Sequence, residues 1–393
     1  MSGDWRAGRR LYSRDRSFFP RRHPNRKRPG IHRGRQATRE LSLMLSSTEK
    51  QNILRGVYEL KTGLPVPLLV QPFGKWYATQ DVMDNWSLDL MRQTQRNRGQ
   101  ESVCDFGIAH IKTGIGLGAI AASFGAKCIW NDQSDAWIEP LIGSNPKAVY
   151  DLALPDPHRS GMNEFILRRI AYMQEHTELP LQPCNIASPL TTASYLWGYS
   201  DFLAALVEHP AEVHHLLELT TRATIDFVRA QMRVIKNLWA LSHEDWYMPT
   251  DLGVRVSDDV LAVISRKHYR EFGVHYNNIL SKEFGGIVIH SCGNIAYQVP
   301  TILEIENLRA IDLALPHNDL VALKDAAAGK TALTMRYWIQ DWENRAMPDL
   351  EQYTDQVVEL FGTRGILLQM QTPSLQDAID LSARLIQKSW ARV

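Results

Sequence analysis

Cysteine is scarce and unpaired in this sequence. Only Cys104, Cys128, Cys184 and Cys292 occur in 393 residues, and none forms a C-x-x-C pair. That excludes a dense disulfide framework, and a reduced, cytoplasmic compartment is the simpler expectation. Long apolar runs are missing too. Nothing approaches the ~18 consecutive apolar residues of a membrane-spanning helix, and the N-terminus lacks the continuous apolar stretch of a secretory signal. No G-x-G-x-x-G follows a candidate strand. Gly114, Gly116 and Gly118 have the wrong spacing for that dinucleotide fingerprint. Acidic residues are sparse in one place only: residues 1–40 hold 13 Arg/Lys against 3 Asp/Glu, whereas the rest hold 31 against 40.

The basic stretch stands apart from the rest of the chain. Residues 1–43 are rich in Arg, Pro and Gly and have neither a helical nor a strand period. Such a composition buries too little apolar surface to offset the entropy of ordering, so a disordered basic extension is expected. It reads as an appended tail, or as translation from a start upstream of Met44, rather than as a nucleic-acid arm. Asp4, Asp15 and several prolines spoil it as an amphipathic targeting helix. Neither nucleic acid nor membrane is therefore an expected partner. One folded domain is expected over residues 44–393, with 44% apolar and 22% charged residues in the whole chain, as in ordinary globular enzymes. Ser46-Ser47-Thr48-Glu49 should cap its first helix.

Beyond that helix, short apolar runs alternate with long amphipathic stretches. The expected strands are 66–71, 126–131, 179–185, 245–251, 285–291, 308–314, 331–337 and 365–371. Strands separated by helices imply a parallel sheet with crossover connections, and eight of them fit a closed (β/α)8 barrel of the TIM type. Several of these runs end on a polar residue: Asn185, Asp251, His290, Asp312, Arg336 and Gln369 or Gln371. Catalytic groups in such barrels stand at the C-terminal ends of strands, so this set should converge on one mouth. Each of these residues alone could equally be an ordinary polar loop residue.

The richest stretch is GGIVIHSCGN, residues 285–294. Alternation along a strand lets His290 and Cys292 point the same way, and an imidazole with a thiol suits zinc. Gly293 allows tight passage of the chain afterwards. The same spacing also fits a hydrogen-bonded core histidine beside a buried cysteine.

Together with its neighbours, this stretch resembles the uroporphyrinogen-decarboxylase superfamily. HSCGN after GGIVI, CNIASPLTTASYLWGYSDF, TDLGVRVSDDVLAVISRKHYREFGVHYNNIL and IGLGAIAASFGAKCIWNDQSDAWIEPLI each resemble a segment of that superfamily, over roughly residues 50–390. The resemblance implies a (β/α)8 barrel and an enzyme. Departures point to a branch. The "R-Q-A-G-R-Y" segment that holds tetrapyrrole carboxylates in the decarboxylases has no arginine in VPLLVQPFGKWYATQDV, where Lys75 is the only cation, and Asp105 substitutes poorly for an "F-S-D-I" aspartate.

The sequence is closer to the corrinoid and coenzyme M methyltransferases. The resemblance gives His290 and Cys292 as zinc ligands, with corrinoid as substrate or as the group on a partner protein. Those enzymes take a third ligand, a cysteine, near the last strand. Here Gln369, Met370 and Gln371 occupy that region, and Gln and Met are poor zinc ligands. Asp251 is the first candidate to complete the set, with Glu244 and His243 next. The expected catalytic residues are Asp251, Tyr195, which matches the family's substrate-facing tyrosine, and Arg336. Asn185, Asn294, Trp76 and Tyr77 are expected to contact substrate. The alternatives are a metal-free decarboxylase of porphyrinogens or smaller carboxylated substrates, and a barrel that binds a ligand without turnover.

Overall fold

The structure, a computed structural model, describes residues 45–74, 83–130, 136–241, 245–339 and 348–392. The basic extension, Lys75, Trp76, Tyr77, His243 and Glu244 lie outside them. The first helix, α1 (Ser47–Tyr58), begins as expected. The Ser46 side chain accepts from the Glu49 backbone, and the Glu49 carboxylate accepts from the Ser46 N–H at 2.7 Å. Among the described residues, no helix is long and apolar enough to cross a membrane.

The core is a six-stranded parallel sheet. In order across the sheet it comprises β1 (Leu68–Pro72), β10 (Ile366–Thr372), β9 (Ala332–Tyr337), β8 (Leu308–Ala314), β7 (Ile287–Ser291) and β6 (Val254–Ser257). Short segments continue beside both edges. The Phe106 N–H donates to Leu68 O, β2 (Ile111–Lys112) pairs in parallel with β5 (Leu181–Gln182), and Ala187 bridges to Ser257. The architecture is α/β of the TIM-barrel type.

Alternation sorts the side chains. Val254, Val256, Ile287, Ile289, Ile311, Leu333, Leu368 and Met370 join one core cluster with the surrounding helices. Leu69, Val288, Ala310, Ala332 and Leu367 point the other way, into a second cluster with Tyr58 and Trp246. One step further along the same inward rows the apolar character ends. Arg255, His290, Asp312, Thr334 and Gln369 come next, all buried. The interior is thus greasy near the strand starts and charged toward the strand ends.

Two strand expectations need correction. Residues 128–129 form β3, which pairs antiparallel with β4 (Trp137–Ile138) in a separate two-stranded ribbon. Where 245–251 was expected, β6 comes later, at 254–257, and Asp251 lies in a 3-10 turn (Thr250–Leu252) before it. Met248 and Trp246 are buried, but as interior plugs rather than strand residues. Their apolarity mimicked a strand run.

One irregularity sets the register of the sheet. Ile287 pairs with Leu308 but Val288 pairs with Ala310, so Arg309 is an extra residue on β8, and His290 comes level with Asp312. The Arg309 side chain is seated at this foot of the sheet, donating to Leu252 O at 3.2 Å and Gly285 O at 2.8 Å.

Candidate active site and metal-ligand cluster

The site is built around a buried carboxylate. Asp312 is fully inaccessible, ion-pairs with Arg255, meets Arg336 Nε at 2.8 Å and faces His290 Nδ1 at 3.4 Å. Burial alone would raise its pKa, but Arg336, His290 and Arg255 outweigh burial and hold it below the ordinary carboxylate range. Burial and Arg336 both lower the pKa of His290. Asp312 and Cys292 overcome both and bring that imidazole up to about 10.

The other ring nitrogen of His290 faces the functional side. Nε2 lies 3.4 Å from Cys292 Sγ, and Cys292 is exposed. One Arg336 terminal nitrogen is 3.3 Å from His290 Nε2 and 3.8 Å from Cys292 Sγ. The Arg336 guanidinium also lies over the Trp338 ring, 4.1 Å from its centroid. The structure thus places His290, Cys292 and Arg336, three of the expected site residues, side by side.

The oxygen donor beside them is Asp259. One ligand atom each from Asp259, His290 and Cys292 can be chosen so that all lie within 4.8 Å of one another. The loop after β6 carries Asp259, whose Oδ1 accepts from Cys292 N at 3.0 Å and Ser291 Oγ at 3.3 Å. Its neighbour Asp258 is buried. It accepts from Tyr269 Oη and Asn277 Nδ2, both at 3.0 Å, and its backbone N–H donates to His290 O at 2.8 Å. Burial, against hydrogen bonds from Asn277, Ser188 and Tyr269, raises the Asp258 carboxyl to about 6.

Two packing details hold these loops. A Cβ on Gly293 would come 2.5 Å from Ala262 Cβ, so the missing side chain is what allows the two loops to touch. Asn318 then pins the far side. Its Oδ1 accepts from Ile295 N and Ala296 N at 2.8 and 3.0 Å, and its Nδ2 donates to Gly293 O and Ala314 O.

Other expected residues fall elsewhere. Asp251 is not with the cluster. It precedes β6, its carbonyl lies against Gly285 before β7, and its carboxylate takes Arg55 at 2.9 and 2.7 Å on the surface. Those are the strand starts, the opposite end from His290, so Asp251 stands apart from the cluster. Asn185 is half-buried beyond β5, its Oδ1 against the backbone of Gly114. Tyr195 stands on the helix Pro189–Trp197, half-buried against the main core, and Asn294 is exposed beside Cys292. Gln369 donates to Gln71 Oε1 at 3.1 Å, and Met370 faces the outer core. Asp259 and Arg255 were legible in principle. Read as a strand, VRVSDD alternates Val254 and Val256 with Arg255 and Ser257 and ends on two carboxylates.

Fold and site together define an α/β barrel with a His, Cys and Asp cluster at the strand ends. The family model for uroporphyrinogen decarboxylase matches residues 105–237. The solved structure of a methyltransferase from Methanosarcina mazei is similar in fold, with a TM-score of 0.64 at 13% sequence identity over 86% of this chain and 99% of that one. No curated protein matches the chain in sequence. Over that segment the chain is similar to the uroporphyrinogen decarboxylase family, and its fold is similar to that of the methyltransferase. The family match stops before His290, so the ligand cluster rests on its own geometry.

Proposed function

We propose that this chain is a methyltransferase-like enzyme of the uroporphyrinogen decarboxylase superfamily, moving a methyl group between a corrinoid and a small thiol acceptor, with zinc held by His290, Cys292 and Asp259. The observation that carries the reading is the cluster of nitrogen, sulfur and oxygen donors. Zinc bonds of ~2.0–2.3 Å in a tetrahedron place ligand atoms about 3.3–3.8 Å apart, and His290 Nε2 and Cys292 Sγ already stand 3.4 Å apart. The Asp312 contact to Nδ1 is the carboxylate–histidine pairing that orients metal-binding imidazoles. Three protein ligands would leave a fourth position open, as catalytic zinc sites do. When bound, zinc lowers the pKa of a thiol or water beside it.

The chain's own residues supply the rest. Asp312 holds the imidazole in one orientation, and Nε2 must give up its proton before it can act as a ligand. Arg336 presents positive charge beside Cys292, where it can take the carboxylate or sulfonate of an acceptor. Asp259 supplies an oxygen and ties the Cys292 loop in place. This set replaces the distant cysteine expected from the resemblance, whose place is taken by the Gln369–Gln71 pair.

Arg336 also favours a second reading. A guanidinium 3.3 Å from His290 Nε2 crowds an incoming cation. Without a metal, Arg336, Arg255 and His290 outnumber Asp312 in positive charge and would anchor a carboxylate, as a decarboxylase needs. Metal analysis of protein purified without chelator separates the two. The first reading expects about one zinc per chain, lost in Cys292→Ser with the fold retained, and methyl transfer from methylcobalamin to a thiol. Protein devoid of zinc whose activity survives Cys292→Ser would sink it.

A further inference from the structure

A cavity of about 380 Å³ lies between α1, the helix α2 (Trp86–Gln100) and the segment 107–112. Among the residues lining it, none belongs to the His290 cluster. Its charged walls are Lys50, Arg96 and Lys112 against Asp245, with Glu101 at the exposed rim. Asp245 takes Lys112 Nζ at 2.9 Å and Arg96 at 3.2 Å. Burial pushes this carboxyl up, but Arg96, Lys112 and His110 outweigh it and hold the group ionised. One half-buried carboxylate therefore shares this cavity with three cations, two of them in contact with it.

His110 supplies a second, independent observation. It is buried, stacked on Trp239 with ring centroids 3.8 Å apart, and its Nδ1 lies 2.9 Å from Ile108 O. Burial, opposed by Asp245, lowers its pKa to about 4, so the ring is neutral. A carbonyl partner makes Nδ1 the protonated nitrogen, which leaves Nε2 as a lone-pair acceptor. Among the described residues Nε2 is buried without a hydrogen-bond partner, and it faces another acceptor, Asp245 Oδ1, at 3.7 Å. Lys112 already meets that carboxylate oxygen, so the imidazole nitrogen is the acceptor that calls for a donor, because an unmet buried polar group is costly.

We propose that this cavity binds a small hydroxycarboxylate: the carboxylate lies against Lys50, Arg96 and Lys112, and the hydroxyl donates to His110 Nε2. The volume suits a ligand of that size. A site that hydrogen-bonds a hydroxyl discriminates against the analogue lacking it, because its own polar group is then left unpaired. The inference does not depend on the metal reading of the His290 cluster.

Calorimetric titration of the full chain in EDTA, with malate and with succinate, tests it. The two probes differ by one hydroxyl, and the chelator removes any metal complex. Malate should bind about tenfold tighter than succinate, the worth of one hydrogen bond at the upper end of the usual range. His110→Phe keeps an aromatic ring against Trp239 and should erase the preference while leaving succinate binding in place. Lys112→Met should weaken both ligands about tenfold or more. Its side chain is a quarter exposed, so that variant remains decisive if His110→Phe does not fold. Equal binding of the two acids, binding of neither at millimolar concentration, or malate binding unchanged by Lys112→Met overturns the proposal. A single trapped water on His110 would give the second of these results.

Discussion

Asp259 Oδ1 accepts the backbone N–H of Cys292 at 3.0 Å, so the loop after β6 clamps the loop after β7. If Asp259 is also a ligand, Asp259→Ala should lower zinc affinity about 10- to 100-fold in a competition titration against a chromophoric chelator. Asp251→Ala is the control. Asp251 belongs to a surface pair with Arg55 at the other end of the barrel. Its loss should leave zinc affinity unchanged and cost no more than about 1 kcal/mol in urea unfolding. A zinc defect in Asp251→Ala would contradict the placement of these two aspartates.

Asp312 compensates two buried arginines and His290 at once. Removing it leaves uncompensated charge in the interior. Asp312→Ala should therefore destabilise the fold by about 3–5 kcal/mol, by the usual cost of breaking a buried pair. Urea midpoints at constant slope would show it. A loss under about 1 kcal/mol would mean that water reaches these charges.

Gly293→Ala drives a methyl group to 2.5 Å from Ala262 Cβ. Overpacking of this kind costs about 1–3 kcal/mol. The sharper readout is Cys292 itself, whose reaction rate with a disulfide reagent should change several-fold as the clamp opens. An unchanged rate would show that the two loops move together.

Asp105 offers a pH test away from the cluster. Its carboxyl is buried, and burial raises it to about 6 against Lys50 and the hydrogen bonds from Val70, Gly107 and Gln100. The folded pKa is above the unfolded one, so the folded state takes up the proton first. The group's contribution to stability is fully present below about pH 4 and is lost as pH rises through 6. Between pH 7 and pH 4, wild type should gain about 2–3 kcal/mol relative to Asp105→Asn, since each tenfold difference in proton affinity is worth roughly 1.4 kcal/mol. Whatever fixed offset the substitution brings, a flat difference across that range would refute the assignment.

Most of the barrel was legible because short apolar runs such as LRAIDLA stand out between the long amphipathic stretches, and β8 spans those residues without error. His290 and Arg336 were found by the same route, as polar residues ending such runs, and Cys292 by its spacing from His290. The misses have a common origin. Trp246 and Met248 are apolar because they plug the interior, and a run of buried plugs looks like a strand when only composition is seen. Placing the strand there moved the expected carboxylate eight residues upstream, from Asp259 to Asp251, and from one end of the barrel to the other. Asn318 gave no signal at all. Its task is to satisfy backbone groups of a distant loop, and one sequence carries no trace of such pairing.

Arg309, the extra residue at the foot of β8, has a reach beyond its own surroundings. Because side chains alternate, one residue more or fewer there would exchange Asp312 for Ile311 or Leu313 opposite His290. A carboxylate would give way to an aliphatic chain, and the imidazole would lose the group that orients it. The chemistry at the mouth is thus encoded partly in the length of a strand at the opposite end. A lineage could retire or restore this site by a single-codon insertion or deletion without touching His290, Cys292 or Asp259.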